Sequence, residues 1–396
     1  MTGRNACDFS RDTVVVGGCG HVGLPLAIAL AGPGTPVVAY DLNQEAVAAV
    51  SAGRLPFAEP GAGGSLARAV TTGWLTATTD PAVTATAAHV IIVIGGGRLG
   101  PDTIGTALAG SAGYFRDGQL LVLRSTVAPG TTASLEKLVA RLGVSADVAF
   151  CPERIAQGHA LSELRDLPQI VASRTARGLE RARALFGRLT PKLIPMSPEE
   201  AELAKLFTNA WRYLRFAVAN QFFMIASEYG LDYERIRLGL RDGYPRASGL
   251  APAGLAAGPC LRKDTTVLAT AGGFPLGEAA IAVNEGLPLF LADRLAARYD
   301  LATMTVGVLG MAFKGDTDDI RASLSYPLAD LLATRARRVL RTDPLVTTDP
   351  DLVPLAEVLQ AADLLVIAAP HRAYRTLRPR QPVADIWNVL GRGVLP

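Results

Sequence analysis

Apolar runs and helical segments alternate at both ends of the chain. In the first third, apolar runs predict buried strands over residues 13–17, 36–41, 89–95, 119–126 and 148–151. From residue 301 the pattern restarts, and it predicts strands over 304–310, 337–343, 363–370 and 382–388 and helices over 326–336 and 354–362. Alternation of strands with helices is typical of parallel sheets. The pattern therefore predicts two α/β regions, one at each end.

The segment between these regions predicts a single long helix over residues 198–230. Ser197 can cap the N-terminus of this helix, and Gly230 can end it. Glu199 and Glu200 suit the positive end of the helix dipole. At ~1.5 Å per residue the helix is about 45 Å long, which exceeds the diameter of a small domain. We therefore expect it to connect two domains.

One polar stripe runs along this predicted helix among apolar residues. The stripe comprises Glu202, Lys205, Asn209 and Arg212. Such a stripe is usually a solvated face. The alternative is a catalytic lysine and amide, Lys205 and Asn209, and other parts of the sequence must decide between the two. The apolar positions are Leu203, Leu206, Phe207, Ala210, Leu214, Ala217 and Val218.

A glycine-rich turn follows the first predicted strand and leads into a helix. In the pattern G-x-G-x-x-G, Gly18 allows the tight turn, Gly20 lets the backbone approach a pyrophosphate, and Gly23 permits close packing of helix and strand. The next strand ends on Asp41, about where an acid binds the ribose hydroxyls. The pattern predicts a dinucleotide site, and an acid at this position favours NAD over NADP. The alternative is a glycine-rich turn without a cofactor.

Polar residues follow two further strands, where ligands bind in doubly wound sheets. Thr126 comes at the end of the strand over residues 119–126, and Glu153 and Arg154 follow the strand over 148–151. Thr126 can equally be a turn residue. Glu153 can be a base, or it can pair with a neighbouring cation. The sequence therefore offers these residues as candidates without deciding their roles.

The composition is that of a globular protein with large apolar cores. Of the 396 residues, 49% are hydrophobic and 19% are charged, and the net charge is +3. This balance does not indicate nucleic acid or a membrane as a partner. The four cysteines, Cys7, Cys19, Cys151 and Cys260, lack the spacing of a metal site or a disulfide framework. We therefore expect free thiols, no metal and a cytoplasmic location.

Seven motifs in order resemble those of one enzyme family. They are GCGHVGLP (18–25), PFAEPG (56–61), STVAPGTT (125–132), CPERIAQG (151–158), AELAKLFTNAWR (201–212), GPCLRKD (258–264) and GMAFKGDTDDIRAS (310–323). Together they resemble the UDP-glucose/GDP-mannose dehydrogenase family, the nucleotide-sugar 6-dehydrogenases. The resemblance covers nearly the whole chain.

The resemblance implies three domains and a homodimer. Residues 1–196 would form an NAD-binding Rossmann domain, residues 197–296 a helical domain for dimerisation and catalysis, and residues 297–396 a UDP-binding α/β domain. The implied fold is α/β, with two Rossmann-like, doubly wound parallel sheets joined by the long central helix of an all-α middle domain. The implied cofactor is NAD, and its expected contacts are Gly18, Gly20, His21, Val22, Gly23, Asp41 and Thr126.

The resemblance also implies a four-electron oxidation at C6 of a nucleotide sugar. Cys260 would trap the aldehyde as a thiohemiacetal, which a second oxidation converts to a thioester. A thiol suits this task because the covalent adduct retains the aldehyde between the two oxidations. Lys205 and Asn209 would flank the reacting oxygen, Asp264 and Thr126 would hold water, and Glu153 would be the base for thioester hydrolysis. The alternative for Cys260 is a buried, small apolar residue.

Further residues are implied as contacts of the nucleotide sugar. Phe313, Lys314 and Arg321 match positions that contact the nucleotide, and Arg246 would reach a neighbouring subunit. The alternative for the two cations of the C-terminal region is a surface charge cluster with nearby aspartates. The full set of substrate contacts is Glu153, Arg154, Lys205, Asn209, Arg246, Gly258, Phe313, Lys314 and Arg321.

The chain also departs from the family pattern. Residues 95–98 read Gly-Gly-Gly-Arg where the family has V-P-T-P, and Trp387 and Asn388 occupy a region where an arginine is common. Features of the UDP-N-acetylhexosamine and UDP-glucose branches are mixed; we favour N-acetylhexosamines, and GDP-mannose stays open. Two other functions remain: a one-step dehydrogenase of the 3-hydroxy acid type, which needs no Cys260, and a non-catalytic nucleotide-sugar binder.

Overall fold

The computed structural model describes residues 9–94 and 100–391. It divides into two compact units, the first ending at Leu206 and the second beginning at Phe207. The departure at residues 95–98 and the thiol of Cys7 lie outside the described residues. Each unit contains one sheet, and the two units are described in turn.

The first unit is built on an eight-stranded sheet of order β3-β2-β1-β4-β5-β6-β7-β8. All neighbouring strands are parallel except β6 and β7. The order of the first six strands is that of the Rossmann fold, so the predicted fold class is confirmed. The strands are β1 (Arg11–Val16), β2 (Val37–Tyr40), β3 (Leu75–Thr78), β4 (Ala87–Ile92), β5 (Leu120–Leu123), β6 (Asp147–Phe150), β7 (Gln169–Ser173) and β8 (Leu193–Met196).

Apolar side chains cover both faces of this sheet. Neighbouring residues of a strand point to opposite faces, so Val15 and Ile91 belong to one buried cluster and Val14 and Val90 to another. The helices of this unit are α1 (Gly23–Leu30), α2 (Gln44–Ser51), α3 (Ala62–Thr71), α4 (Ile104–Ala107), α5 (Ala109–Ala112), α6 (Thr131–Arg141), α7 (Ala160–Asp166) and α8 (Ala176–Phe186).

The second unit combines long helices with a smaller sheet. Its four strands are parallel and have the order β10-β9-β11-β12, as the restarted pattern predicts. The last strand is only two residues long, far shorter than the predicted 382–388. The remaining elements are α9 (Pro198–Glu228), α10 (Tyr233–Arg241), α11 (Leu261–Gly272), α12 (Pro275–Arg298), β9 (Thr305–Leu309), α13 (Ser325–Ala333), β10 (Arg338–Thr342), α14 (Leu355–Ala361), β11 (Leu364–Ile367) and β12 (Val383–Ala384).

Helix α9 runs for 31 residues through the boundary between the units, and its ends follow the sequence. Ser197 and Glu200 form a reciprocal capping box, in which the Glu200 amide donates to Ser197 Oγ at 3.3 Å and the Ser197 amide donates to Glu200 Oε2 at 2.8 Å. Beyond the C-terminus, Gly230 adopts a φ of +68°. The predicted caps are therefore confirmed.

Of the two alternatives for the polar stripe on α9, the solvated face does not hold for three of its four residues. Glu202, Lys205 and Asn209 are buried, and only Arg212 of the stripe is exposed. Apolar side chains face solvent instead, and Trp211 is 62% exposed. A buried charge or amide is costly unless it is paired. Burial of these three residues therefore favours a polar site with specific partners over a solvated face. The exposed apolar residues of α9 are Leu203, Phe207, Trp211, Val218, Phe222 and Ile225.

Candidate active site

The glycine-rich turn between β1 and α1 leaves no room for a side chain at Gly17 or at Gly23. Gly17 has a φ of +75°, and a Cβ there would lie 1.8 Å from the carbonyl oxygen of Val93. A Cβ at Gly23 would lie 2.2 Å from the Gly17 oxygen. The G-x-G-x-x-G pattern predicts the tight turn at Gly18, whereas the left-handed residue is Gly17. Around Gly20 the space is open, since the nearest atom to its Cβ position is 3.8 Å away.

The acid at the end of β2 is fastened to this turn. Asp41 Oδ2 accepts a hydrogen bond from the Cys19 amide at 3.0 Å, and its Oδ1 accepts one from the Asn43 amide at 3.1 Å. The carboxylate thus lies beside the N-terminus of α1, and a helix N-terminus attracts phosphate. An open backbone at Gly20, a helix N-terminus and an acceptor pair together fit a dinucleotide.

His21 and Val22 complete the turn. The imidazole of His21 lies on the ring of Phe57, with ring centroids 4.1 Å apart, and its Nδ1 is 3.3 Å from Gln157 Nε2. Val22 is the N-cap residue of α1. The motifs around residues 57 and 157 therefore meet at the glycine turn, and buried Glu59 fastens them by accepting from the amides of Gly158 and Ala160 at 3.0 and 2.9 Å.

A buried arginine that the sequence analysis missed binds Glu153. Arg124, at the end of β5, is fully buried and donates from Nε and Nη2 to Glu153 Oε2 at 3.0 and 2.5 Å. Glu153 Oε1 accepts from the amides of Arg154 and Ile155 at 2.8 and 3.1 Å. A carboxylate has about four acceptor positions, so these donors occupy all of them. An arginine in an otherwise apolar strand was the signal for this pair.

Two other predicted residues of the first unit lie near these strand ends. Thr126 is half-buried and follows β5 by three residues. Arg154 donates from Nη2 to the carbonyl of Pro168, and burial lowers the pKa of its guanidinium. Both lie in the loops that follow β5 and β6, where the sequence analysis expected them.

The polar stripe of α9 holds two other segments in place. In the first unit, Glu202 accepts from the amides of Gly130 and Thr132, both at 2.7 Å, and so caps the start of α6. In the second unit, Asn209 Nδ2 donates to Asp264 Oδ2 at 2.5 Å. Asp264 is fully buried. Lys205 lies one helical turn before Asn209, so the structure places the predicted lysine and amide on one side of α9.

Cys260 is exposed and lies at the N-cap of α11, so the alternative of a buried apolar residue does not hold. Asp264 follows one turn later, and its amide donates to the Cys260 carbonyl at 2.9 Å. The other cysteines of the described ranges are buried, and burial raises the pKa of Cys19 and of Cys151 to about 12. Among these three thiols, Cys260 is therefore the one placed to react.

The segment before Cys260 is fixed at two glycines. Asn220 of α9 bonds both backbone groups of Gly254, at 2.9 and 3.0 Å, and a Cβ at Gly254 would lie 2.3 Å from the ring of Trp387. Gly258, with a φ of +101°, leaves only 2.5 Å between its Cβ position and the ring of Phe313. The aromatic rings therefore lie directly on this backbone, and Trp387 packs there in the region where an arginine was expected.

The predicted cations of the second unit already have partners. The guanidinium of Arg321 binds Asp319 through contacts of 2.6 to 3.1 Å, and these hydrogen bonds raise the pKa of Arg321. Lys314 Nζ lies 5.8 Å from the centre of the Phe313 ring. Arg246 is exposed and donates to Tyr244 Oη at 2.9 Å. Arg321 thus shows the charge cluster that was kept as its alternative.

The structure brings the predicted residues together in two groups. In the first unit, the glycine turn and Asp41 form one group, with Glu153 held separately by Arg124. In the second unit, Asn209, Asp264 and Gly258 gather around the start of α11, close to Cys260. Within residues 9–94 and 100–391, no helix has the length and apolarity to cross a membrane, and no three histidine, cysteine or acidic side chains are placed to hold a metal ion.

Three family models match the chain. They describe the NAD binding domain of the UDP-glucose/GDP-mannose dehydrogenase family over residues 12–190, its central domain over 199–285 and its UDP binding domain over 307–392. A UDP-N-acetyl-D-mannosamine dehydrogenase of Yersinia pestis is 30% identical over 98% of this chain and 100% of the relative. A relative of the same name from Pyrococcus horikoshii is 28% identical over 96% and 93%.

Solved structures of the same kind superpose on nearly the whole chain. The UDP-D-ManNAc dehydrogenase of Pyrococcus horikoshii has a TM-score of 0.87 at 26% identity, covering 97% of each chain. A UDP-glucose dehydrogenase of Pyrobaculum islandicum has a TM-score of 0.85 at 28% identity and covers 97% of this chain and 96% of its own.

Proposed function

The chain belongs to the UDP-glucose/GDP-mannose dehydrogenase family, and from this premise we propose that it oxidises C6 of a UDP-N-acetylhexosamine twice and yields the uronic acid. The family that the seven motifs predicted is thereby confirmed, as is the class of enzyme, an NAD-dependent nucleotide-sugar dehydrogenase. The position oxidised, the sugar and the roles of individual residues are proposals.

The observation that carries the proposal is the setting of Cys260. Cys260 is exposed at the start of α11, one turn before the buried carboxylate of Asp264, to which Asn209 donates a hydrogen bond at 2.5 Å. A one-step dehydrogenase needs no such thiol. A non-catalytic binder needs neither the thiol nor a buried carboxylate beside it. The arrangement therefore favours covalent chemistry over both alternatives.

Cys260 takes part between the two oxidations. The C6 alcohol loses a hydride and its hydroxyl proton and becomes an aldehyde. The Cys260 sulfur adds to the aldehyde carbon, and the resulting oxygen is protonated to a thiohemiacetal. Loss of a second hydride and the hydroxyl proton leaves a thioester. Water then attacks the thioester carbonyl, the carbon–sulfur bond breaks, and the carboxylate and the free thiol are produced.

Polar side chains stabilise the reacting oxygen of the sugar and position the water in these steps. We assign Lys205 and Asn209 to the reacting oxygen, because a cation and an amide donor stabilise a developing alkoxide. Asp264 and Thr126 hold water for proton transfer. Glu153 is the proposed base for hydrolysis, but its four acceptor positions are occupied in the described conformation, so one donor must leave before it accepts a proton. Otherwise Glu153 and Arg124 only shape the loop after β6.

NAD supplies the hydride acceptor when it is bound. We propose that the open backbone of Gly20 and the amides at the start of α1, which include those of His21, Val22 and Gly23, bind its pyrophosphate, while Gly18 packs the turn against β2. The carboxylate of Asp41 binds the ribose hydroxyls, and its charge would repel the 2′-phosphate of NADP.

The nucleotide part of the substrate is assigned to the second unit. We propose Phe313, Lys314 and Arg321 as contacts of the uridine diphosphate, which requires that Arg321 exchange Asp319 for a phosphate oxygen. Gly258 and Arg154 are proposed as contacts of the sugar, and Arg246 reaches the substrate of a neighbouring subunit. The names of the relatives support an N-acetylhexosamine over glucose.

The experiment is to count NADH formed per sugar consumed. UDP-N-acetylmannosamine, UDP-N-acetylglucosamine, UDP-glucose and GDP-mannose are compared in parallel, and we expect two NADH with an N-acetylhexosamine. Cys260→Ser should abolish the net four-electron oxidation while its NADH affinity, measured by fluorescence titration, stays unchanged. One NADH per sugar would indicate a one-step dehydrogenase, and normal turnover by the variant would overturn the thioester mechanism.

We also propose that the protein is a homodimer through α9. Apolar side chains exposed in rows are rare on monomers, and Phe207 and Trp211 are 56% and 62% exposed. Trp211→Glu places a charge in that row and should convert the dimer to a monomer in light scattering, whereas Arg212→Glu, one residue away, should leave the dimer intact. A monomeric wild-type protein at working concentration would contradict this proposal.

A further inference from the structure

One turn of the second unit is held by a buried histidine and a buried carboxylate. The turn, residues 310–316, follows β9 and carries Phe313 and Lys314. At its start, Asp343 Oδ2 accepts from the amides of Met311 and Ala312 at 2.7 and 3.0 Å. At its end, the amide of Asp316 donates to His371 Nδ1 at 3.0 Å.

The two side chains that hold the turn also bind each other. His371 Nε2 lies 3.0 Å from Asp343 Oδ2, and both side chains are 0% exposed. Because Nδ1 accepts a hydrogen bond from the Asp316 amide, Nδ1 carries no hydrogen of its own. The hydrogen must therefore be on Nε2, which donates it to Asp343. His371 is thus a neutral imidazole in one defined tautomer, and both its nitrogens are used.

The turn needs this support because its backbone is strained. Asp316 has a φ of +58°, which costs a residue with a side chain about 1 kcal/mol. A Cβ at Gly315 would lie 2.3 Å from the carbonyl oxygen of Pro370. The backbone next to His371 therefore packs directly against the turn. On the solvent side, Arg372 Nε donates to Asp316 Oδ2 at 2.6 Å.

The turn over residues 310–316 also supports the backbone that precedes Cys260. The amide of Phe313 donates to the Asp319 carbonyl at 2.9 Å, and the amide of Gly258 donates to the Ala322 carbonyl at 3.1 Å. The ring of Phe313 lies on Gly258 so closely that a Cβ would be 2.5 Å away. A shift of the turn therefore displaces both Lys314 and the backbone two residues before Cys260.

We propose that His371 is a positioning residue, which through the amide of Asp316 sets the turn that presents Phe313 and Lys314 to the nucleotide and fixes Gly258. This inference rests on the proposed function, because it takes the turn as part of the nucleotide site. The imidazole itself is buried, and its two nitrogens bind the Asp316 amide and the Asp343 carboxylate. Its contribution is the acceptor at Nδ1, and the bond to Asp343 selects the tautomer that provides it.

Two substitutions separate the two bonds of His371. In His371→Asn, the amide oxygen takes the place of Nδ1 and can still accept from Asp316, while the donor to Asp343 is lost. In His371→Gln, the amide reaches the place of Nε2 and can still donate to Asp343, while the Asp316 amide loses its acceptor. Both variants leave a space in the same core, so we expect similar losses of thermal stability.

The measurement is the affinity for UDP by titration calorimetry, together with KM and kcat. We expect His371→Gln to bind UDP at least 10-fold more weakly than wild type, with a raised KM and a lowered kcat, and His371→Asn to stay within about 3-fold. Tyr374→Phe is the matched control, since its ring lies 5.5 Å from His371 and its buried hydroxyl has no hydrogen-bond partner among the described residues; UDP affinity should not change.

The outcomes distinguish the inference from the function on which it rests. If wild-type protein binds no UDP, the nucleotide site is overturned and this inference falls with it. If wild type binds UDP and the two variants bind it equally, whether strongly or weakly, only the inference is overturned. If His371→Gln does not fold, Arg372→Ala tests the same turn from its exposed side, and UDP affinity unchanged from wild type would overturn the inference.

Discussion

The two sheets begin with the same arrangement and use it differently. In both, a glycine of positive φ follows the first strand of the sheet, Gly17 after β1 at +75° and Gly310 after β9 at +95°. Each of these glycines donates its amide to the last residue of the second strand, Tyr40 or Thr342, at 2.8 Å. In both, an acid follows that second strand and accepts from amides of the turn.

The difference lies in what else the acid binds. Asp41 is half-buried at the glycine turn, where its carboxylate can meet a ribose. The side chain of Asp343 is 0% exposed and accepts from His371 and from four backbone amides, those of Met311, Ala312, Leu345 and Val346. The same strand, turn and acid therefore make a ligand site in the first unit and an internal support in the second. The hydrogen bonds distinguish the two, because among the described residues Asp343 accepts from five donors and Asp41 from two, which leaves Asp41 acceptor positions for a ligand.

The largest difference between the two turns is expected in the free energy of unfolding when each acid is changed to its amide. Asp343→Asn should lower the free energy of unfolding by about 3 kcal/mol, because either orientation of the amide turns its NH₂ group toward other donors. Asp41→Asn should lower it by less than about 1 kcal/mol, because solvent can replace the lost bond. Urea denaturation of both variants measures this, and equal losses would remove the distinction between the turns.

Low pH should destabilise the wild-type protein in the same way, because it protonates Asp343. Burial alone would raise the pKa of Asp343, but the hydrogen bonds from His371 and the backbone amides bring it down to about 2. Because this pKa lies below that of the unfolded chain, the stabilisation is complete above pH ~4 and is lost as the pH falls toward 2. The part lost is about 2 kcal/mol. Between pH 4 and pH 2, the free energy of unfolding of Asp343→Asn should therefore fall by about 2 kcal/mol less than that of wild type. An equal fall in the two proteins would contradict a lowered pKa of Asp343.

The smallest effect is expected in the affinity for cofactor. Asp41→Asn keeps a hydrogen-bonding group but loses the charge, so NADH should bind about 10-fold more weakly, which is about 1.4 kcal/mol, and discrimination against NADPH should shrink. Fluorescence titration with both cofactors measures this. Asp343→Asn, assayed at a temperature where it is folded, should bind NADH as wild type does, and a matching loss there would show that the effect of Asp41→Asn is not local.

The sequence predicted what local chemistry determines. The glycine turn, the caps of α9 at Ser197 and Gly230, and the alternating strands follow from patterns read within a few residues. The strands β3 and β7 were missed because they mix polar with apolar residues, and β8 was missed because its four residues include Pro195. The predicted strand over residues 382–388 shrank to two residues because Trp387 leaves the sheet to cover Gly254.

Burial was the part that the sequence could not predict. The helix α9 reads as apolar with one polar stripe, yet it buries Glu202, Lys205 and Asn209 and exposes Trp211, because burial depends on which side the distant segments cover. The sequence does hold a signal for Asp343. This acid follows the second strand of its sheet, as Asp41 does in the first unit, so a comparison of the two α/β regions could have identified it. The partner His371 carries no local signal, because only the fold brings it to the turn.

Helix α9 has a consequence for the way the protein melts. Its first turns belong to the first unit, where Glu202 caps α6, and its later turns belong to the second, where Asn220 holds Gly254. A helix forms and frays cooperatively along its length, so when one unit loses its hold on α9 the turns that the other unit depends on fray as well. Multidomain chains often melt in separate steps. We therefore expect the continuous helix to couple the unfolding of the two units.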